Sequence, residues 1–360
     1  MPLSRAALVG LAACTGCFGD DDELRLWPPP RGITVQAVAA GDLDGDDTTD
    51  LVVFGADTPP RTGVYLIAGR DIATGSGRPI RTYSTFVPRE LGIPTAATIA
   101  SGQVFAATEE TSIQLASFDA MLAEKHAWST GVTPDRLFVQ TVDLGELRVV
   151  AGNESMIFHT SLDLADPRGL DAPSGNWLQA RLVTSYAEGP DHIVVVATET
   201  EIVRARFADP LAWTEVRQGP AWFGQTAVDL DGDGRAEIVG FDPMTSSVCA
   251  IDPGASTSAS CLHVNDATAD TEVTIIAGTN LTSNPGLDIL IAQANGGETS
   301  FTLVEDYSYT PGALTAAMTR SVPVIGPAHG RTVAVTSPGR PNTVLVFGTD
   351  GAISCVLGPC

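Results

Sequence analysis

The chain has 360 residues, 36 of them glycine and 24 proline, and a formal net charge of −23. Its 20 basic residues face 43 acidic ones, and Lys125 is the sole lysine. Such a surface repels nucleic acid and anionic lipid head groups, which excludes both as partners, and it favours divalent cations. Frequent Gly and Pro suit many short strands and turns, and this length suits one large all-β unit.

The N-terminus reads as an export signal. Met1-Pro2-Leu3-Ser4-Arg5 carries one positive charge, and Ala6 to Ala13 is an apolar run too short to span a bilayer. The run ends in Leu11-Ala12-Ala13-Cys14, which resembles the lipobox of bacterial lipoproteins. The resemblance implies that Cys14 is lipidated and becomes the mature N-terminus. An ordinary signal peptide cleaved nearby is the alternative, and either way the protein is exported. No later segment is apolar enough to cross a membrane, so a lipid is the expected anchor. The expected division is a signal over 1–13, a flexible acidic tether over 14–23 and a folded unit over 24–360.

The first folded unit holds the chain's most informative stretch, Gly41-Asp42-Leu43-Asp44-Gly45-Asp46-Asp47-Thr48-Thr49-Asp50, followed by Leu51-Val52-Val53. It reads D-x-D-G-D-x-x-x-[DE] between two predicted strands, Val35 to Ala40 and Asp50 to Phe54. Carboxylates at alternate positions of a tight loop converge on one centre, which makes a hard oxygen cage for calcium. Asp42, Asp44, Asp46 and Asp50 are the expected side-chain ligands. Thr48, at the seventh position, is expected to supply its backbone carbonyl, leaving its side chain free to vary. An EF-hand begins the same way but needs flanking helices and a Glu at position twelve, where Val53 stands.

The pattern of strand, turn, strand, turn and strand then repeats. The second unit has Val104 to Ala107 and Ser112 to Leu115; the third has Leu137 to Asp143, Leu147 to Val150 and Ser155 to Phe158. The fourth has His192 to Val196 and Glu201 to Ala205. The fifth repeats the acidic loop as Asp229-Leu230-Asp231-Gly232-Asp233-Gly234-Arg235-Ala236-Glu237, with Gly240 at position twelve. There Asp229, Asp231, Asp233 and Glu237 are expected to supply carboxylates and Arg235 its carbonyl, so about two calcium sites are expected in all. In the sixth unit Asn280 to Asp288 keeps the spacing with amides and a hydroxyl in place of carboxylates, and no ion is expected there. The third unit keeps only Asp143 and Glu146 in a shortened loop, expected to be empty.

The third strands are predicted to begin at Gly63, Ser112, Ser155, Glu201, Ser247, Ser300 and Ala352. A period of roughly 40–50 residues with four short strands per unit predicts a seven-bladed β-propeller. Outer strands are expected near Trp128, Trp177 and Trp213, with the Trp side chains as core anchors. The seventh unit runs out of chain before a fourth strand. Leu24-Arg25-Leu26-Trp27 is therefore predicted to complete that blade and close the ring.

Six cysteines in an exported chain point to disulfides. Cys249 and Cys261 flank the turn Asp252-Pro253-Gly254-Ala255-Ser256 and are expected to face each other across a hairpin. Cys355 and Cys360 could pair locally, or Cys17 could join one of them.

The two strong loops, Gly41 to Val53 and Asp229 to Val239, resemble the FG-GAP/VCBS repeats of integrin-α-type β-propellers. The resemblance implies calcium in the acidic loops on one rim. It also implies adhesion or scaffolding more often than catalysis. The loops of five of the seven units depart from the family pattern.

No catalytic constellation is evident. His126, His159, His192, His263 and His329 are scattered without a zinc-type pair, and no nucleophile elbow, P-loop or dinucleotide fingerprint occurs. The expected function is a non-enzymatic, monomeric, calcium-stabilised propeller in a bacterial cell envelope, binding a protein or glycan. The alternatives are an exported enzyme of polysaccharide lyase or quinone-dependent dehydrogenase type, or a sensor or assembly component of an envelope complex.

Overall fold

The computed structural model describes residues 25–27, 34–57, 61–69, 81–83, 94–109, 113–129, 137–152, 156–173, 177, 180–208, 211–218, 222–255, 258–264, 272–282, 284, 286–295, 298–322, 330–336, 342–348 and 353–357. They form strands and turns arranged as seven antiparallel four-stranded sheets.

β1 (Arg25–Trp27) comes first in the chain. Blade one is β2 (Thr34–Gly41), β3 (Asp50–Asp57), β4 (Arg61–Ile67) and β5 (Arg81–Tyr83). Blade two is β6 (Pro94–Ala100), β7 (Gln103–Glu109), β8 (Ile113–Phe118) and β9 (Glu124–Ser129). Blade three is β10 (Phe138–Asp143), β11 (Leu147–Gly152), β12 (Ile157–Thr160) and β13 (Arg168–Gly169). Blade four is β14 (Ala180–Glu188), β15 (Asp191–Thr198), β16 (Glu201–Arg206) and β17 (Thr214–Gln218). Blade five is β18 (Phe223–Val228), β19 (Glu237–Asp242), β20 (Ser247–Ile251) and β21 (Ser260–His263). Blade six is β22 (Glu272–Thr279), β23 (Asp288–Asn295), β24 (Glu298–Thr310) and β25 (Ala313–Val322). Blade seven is β26 (Gly330–Val335), β27 (Thr343–Gly348) and β28 (Ile353–Leu357), completed on its outer edge by β1.

The innermost strand of each blade touches that of the next, and β2 touches β26, so the blades form a closed ring. The predicted closure by the N-terminal strand is thus realised: Arg25 lies opposite Ser354 and Trp27 opposite Ile353. Pairing the first strand with the last removes an edge that would otherwise template aggregation.

The second strand of each blade is sandwiched on both faces, which explains its unbroken apolar run. Leu51 and Val53 pack with Val335, Leu345 and Phe347 of blade seven, while Val52 and Phe54 pack with Val104, Ala106 and Phe118 of blade two. Adjacent strand residues point to opposite faces, so a continuous aliphatic run serves two cores at once. The same division recurs at the other interfaces, giving an apolar cluster between every pair of neighbouring blades. Each fully buried Leu or Phe contributes about 1.5–3 kcal/mol relative to exposure. The outermost strands read differently; β9 is exposed along almost its whole length.

Three points depart from the sequence expectations. β6 and β14, the innermost strands of blades two and four, had no counterpart there: β6 is rich in Ala and Thr, and β14 interrupts its apolar residues with Arg181, Thr184 and Ser185. The outer strand of blade three is Arg168–Gly169 rather than a segment around Trp177. Trp177 lies outside any strand but is the core anchor expected of it: it fills the core between blades three and four, donates its indole N–H to the Leu170 carbonyl at 2.6 Å and meets Trp213 edge-on at 5.0 Å. Blade six is longer than expected; the tip of its β24–β25 hairpin leans on blade five, where the Gly312 N–H donates to Ser260 Oγ at 2.9 Å.

Blade three carries a polar cluster around the buried His159, beside its short loop. Arg148 pairs with Glu146 and Asp166 and approaches His159 Nδ1 at 3.2 Å. Burial first, and then the Arg148 charge, hold the His159 imidazole down at about 4. A histidine kept neutral in the fold protonates more readily once unfolded. Its contribution is therefore complete above about pH 6.5 and is lost as pH falls toward 4, to a limit of roughly 2–4 kcal/mol. His159→Gln should accordingly flatten the acid limb of stability. Denaturant midpoints at pH 7.5 and 4.5 should lie closer together in the variant than in the parent chain; an equal gap would refute this role.

Candidate functional site

Both acidic loops join the first and second strands of their blades, β2–β3 and β18–β19, on the same rim of the ring. Each is folded by its own carboxylates. Asp42 Oδ1 accepts the N–H groups of Gly45 and Asp46 at 2.8 and 3.1 Å, and its Oδ2 accepts that of Asp47 at 3.1 Å. Asp229 does the same for Gly232 and Gly234 at 2.7 and 2.9 Å. The fourth and sixth positions both have positive φ: Gly45 and Asp47 at 83° and 61°, Gly232 and Gly234 at 79° and 86°. Gly, or Asp with its short polar side chain, is what such a backbone tolerates.

The ninth residue lies beneath each loop. Asp50 is 2% exposed; its Oδ2 accepts the Leu43 N–H at 3.0 Å and its Oδ1 the Gly69 N–H at 2.9 Å. Glu237 is 0% exposed; its Oε2 accepts the Leu230 N–H at 2.7 Å, and its Oε1 has no hydrogen-bond partner. Burial raises both carboxyls, Glu237 to about 7, against the lowering effect of the backbone N–H groups. Repulsion from Asp44 and Asp46 adds to the rise at Asp50, and repulsion from Asp231 and Asp252 adds to it at Glu237.

Asp42, Asp44 and Asp50 each bring a carboxylate oxygen within 4.8 Å of the others, as do Asp229, Asp231 and Glu237. The fifth-position carboxylates stand outside these triads. Asp46 Oδ1 accepts the Thr48 N–H at 2.9 Å. Asp233 Oδ1 accepts the Arg235 N–H at 2.8 Å, and its Oδ2 accepts Arg235 Nε at 2.9 Å. Both seventh-position side chains make contacts of their own, which the sequence expectation did not include. Thr48 is buried, with its Cγ2 against the backbone of Gly69, which leaves no room there for a Cβ. The Arg235 guanidinium reaches both Asp233 and Asp252. Asp252 comes from the β20–β21 hairpin, so the loop motif alone could not reveal it.

Two further features tie these loops to the ring. The second loop residue is a buried Leu plug in four blades: Leu43, Leu144, Leu230 and Leu281. Thr49 fastens the first loop to blade seven, its N–H donating to the Thr336 carbonyl at 3.0 Å and its Oγ1 accepting the Thr336 N–H at 3.2 Å. In the sixth loop, Asp288 is buried like Asp50. Its Oδ2 accepts the Leu281 and Thr282 N–H groups at 2.8 and 3.1 Å, and its Oδ1 that of Asp306 at 3.0 Å. Backbone donors engage both of its oxygens. The third loop closes on backbone instead, Leu144 N–H to the Glu146 carbonyl at 3.0 Å.

Cys249 and Cys261 lie opposite each other on β20 and β21 and form a disulfide with an S–S distance of 2.05 Å. Cys14, Cys17 and Cys360 lie outside the described residues; Cys355 is on β28, and its pairing with Cys360 or Cys17 falls outside them too. The signal, lipobox and tether expectations also fall there. Among the described residues no helix is long and apolar enough to cross a membrane.

No protein-family model and no curated protein matches the chain. Many solved structures share its fold. The chain resembles virginiamycin B lyase from Staphylococcus aureus, with a TM-score of 0.58 and 10% identity over 91% of this chain and 95% of that one. It resembles BBS1N, solved in complex with ARL6DN, with a TM-score of 0.56 and 14% identity over 93% and 97%. It also resembles the extracellular domain of a one-component system from B. thetaiotaomicron, with a TM-score of 0.53 and 10% identity over 91% of this chain and 39% of that one. These likenesses establish the propeller architecture.

A buried oxygen without a partner is costly, and more so when charged. Glu237→Gln keeps an acceptor for the Leu230 N–H and turns amide donors toward Asp229 and Asp231. In chelator at pH 8 it should melt higher than the parent chain, and a lower melting temperature would show that Glu237 is not strained in the ion-free protein.

Proposed function

We propose that this chain is an exported propeller whose two acidic loops hold calcium, and that it acts as a binding, adhesion or scaffold module rather than an enzyme. The observation that carries the calcium reading is Glu237: a fully buried carboxylate with one oxygen unpartnered, grouped with Asp229 and Asp231. The donor set is all oxygen and anionic, which suits a hard cation of flexible coordination. Asp42, Asp44 and Asp50 would hold the ion in the first loop, and Asp229, Asp231 and Glu237 in the second, each joined by its fifth-position carboxylate, Asp46 or Asp233, turning in from its present partner. Bound calcium supplies charge neutralisation, and no chemical step is assigned to it. The chain's own part is to fold each loop around its first Asp and to sink the ninth carboxylate beneath it.

Because the first loop is also bonded to Thr336, an ion there would brace the junction where the ring closes. The module reading draws support from the innermost strands, which are built mainly of Ala, Thr, Val and Gln, with their charged residues, Asp143, Arg181, Glu188, Glu272 and Arg331, at or next to strand ends. Arg181 is already paired with Glu199. BBS1N, a structure of the same fold, is solved with a protein partner, and an unidentified protein or glycan is the expected ligand here. Anchorage through a lipid on Cys14, in the envelope of a bacterium, completes the proposal.

The test is a thermal melt of the full chain with excess calcium and then with chelator. An ion that binds only the folded state must raise its stability, by about 2.7 kcal/mol at a hundredfold excess over its dissociation constant. Calcium should restore what chelator removes, and magnesium should not. Asp44→Ala and Asp231→Ala should each remove one of two binding events in calorimetry. Unchanged stoichiometry in both variants would overturn the cage assignment.

A further inference from the structure

Arg235 stands at the seventh loop position, where the first loop has Thr48. Its Nε and Nη2 both donate to Asp233 Oδ2, while its backbone N–H takes Asp233 Oδ1. One residue thus engages both oxygens of the fifth-position carboxylate. In the first loop, Asp46 has a neutral residue at the equivalent place, and its Oδ1 takes the Thr48 N–H.

The guanidinium also has a second seat within reach. Its Nη2 lies 3.2 Å from Asp252 Oδ2. Asp252 is fully buried, and its Oδ1 accepts the Gly254 and Ala255 N–H groups at 2.6 and 3.1 Å. Its Oδ2 has the charge of Arg235 beside it but no hydrogen bond. The turn that carries Asp252 is held in place. The Cys249–Cys261 disulfide closes its base, Arg204 Nη1 donates to the Gly254 carbonyl at 3.4 Å, and Gly254 packs so close to Arg235 Nη1 that a Cβ would sit 2.9 Å from it. The guanidinium thus sits between the two carboxylates and touches both.

Building on the calcium reading above, we propose that Arg235 is an internal competitor for the second site. It holds Asp233 while the loop is ion-free and yields to Asp252 when calcium takes Asp233. Ligand charge count sets calcium affinity, so a carboxylate tied up by a neighbouring cation weakens the site. The unpartnered, fully buried Glu237 Oε1 marks this loop as one that still takes an ion. The two sites are therefore unequal. The first fills at low calcium and braces ring closure, and the second fills at higher calcium and reports its occupancy through Arg235 to the 252–255 turn.

The experiment is calcium titration by calorimetry on the full chain, with Asp44→Ala present to silence the first loop. Adding Arg235→Thr should tighten the remaining site roughly five- to tenfold, since it frees a ligand and removes a repelling cation. Adding Asp252→Asn, which keeps the Oδ1 acceptor but removes the second seat, should weaken it severalfold. Unchanged or weaker binding in a folded Arg235→Thr chain would overturn the competition. Unchanged binding in Asp252→Asn would overturn the exchange of seats, and this variant decides if Arg235→Thr fails to fold. A parent chain that binds no calcium would instead sink the calcium reading, and this inference with it. Two events in the parent with no change in either variant would sink this inference alone.

Discussion

A buried carboxylate that accepts the N–H of a Leu seven residues earlier is the contact on which this rim depends. Asp50, Glu237 and Asp288 all make it, to Leu43, Leu230 and Leu281. The bond closes the loop across its base and drives the Leu side chain into the core. It also places a negative group where water cannot reach it, which is expensive unless something compensates. The three loops compensate in different degrees. Asp288 has backbone donors on both oxygens, and so does Asp50 with its Gly69 partner. Glu237 has a donor on one oxygen alone. Asp42 and Asp44 nonetheless keep the first loop strongly acidic, while the sixth has Asn280 and Thr282 in those places. That ordering of local charge sets the two acidic loops apart from the sixth.

The ring adds a second constraint. Each blade's second strand is buried on both faces, so its residues serve two interfaces in alternation. No blade can be removed or repacked without exposing apolar surface on two sides, which is the energetic reason for closing the circle with β1. The first acidic loop contributes to the same junction through Thr49 and Thr336, residues 287 apart in the chain. Loop chemistry and ring closure are thus coupled at blades one and seven. At blades five and six, Tyr307 and Tyr309 of the long β24–β25 hairpin join the blade five core, beside the Gly312–Ser260 hydrogen bond.

Sequence reasoning is strong here for local patterns. Aliphatic runs of four bounded by turn residues mark the second strands, because burial on both faces demands them. The repeat period follows from counting those runs, and the predicted third-strand starts fall close to β4, β8, β12, β16, β20, β24 and β28. The D-x-D-G-D loops are legible because positive-φ positions and turn-capping carboxylates leave a fixed residue signature. The Cys249–Cys261 pairing is legible for the same reason: a turn of known length puts the two opposite each other. Segments such as β6 are less visible, since Ala and Thr give little hydrophobic contrast.

The sequence by itself determined the all-β class, the seven-fold repeat, the closing strand and the acidic residues that could meet at a cation. The class, the repeat and the loops depend on periodicity and on contacts within a dozen residues, and the closing strand follows from a seventh unit that lacks a fourth strand. The tertiary structure decided which of those carboxylates stand together and which are otherwise engaged. It set Asp233 apart by turning Arg235 onto it, brought Asp252 from the outer hairpin to the same guanidinium, and left Glu237 Oε1 without a partner. It placed the outer strand of blade three at Arg168–Gly169, away from Trp177. Such outcomes turn on side-chain rotation and on neighbours distant in the chain, and spacing along a sequence carries no record of either.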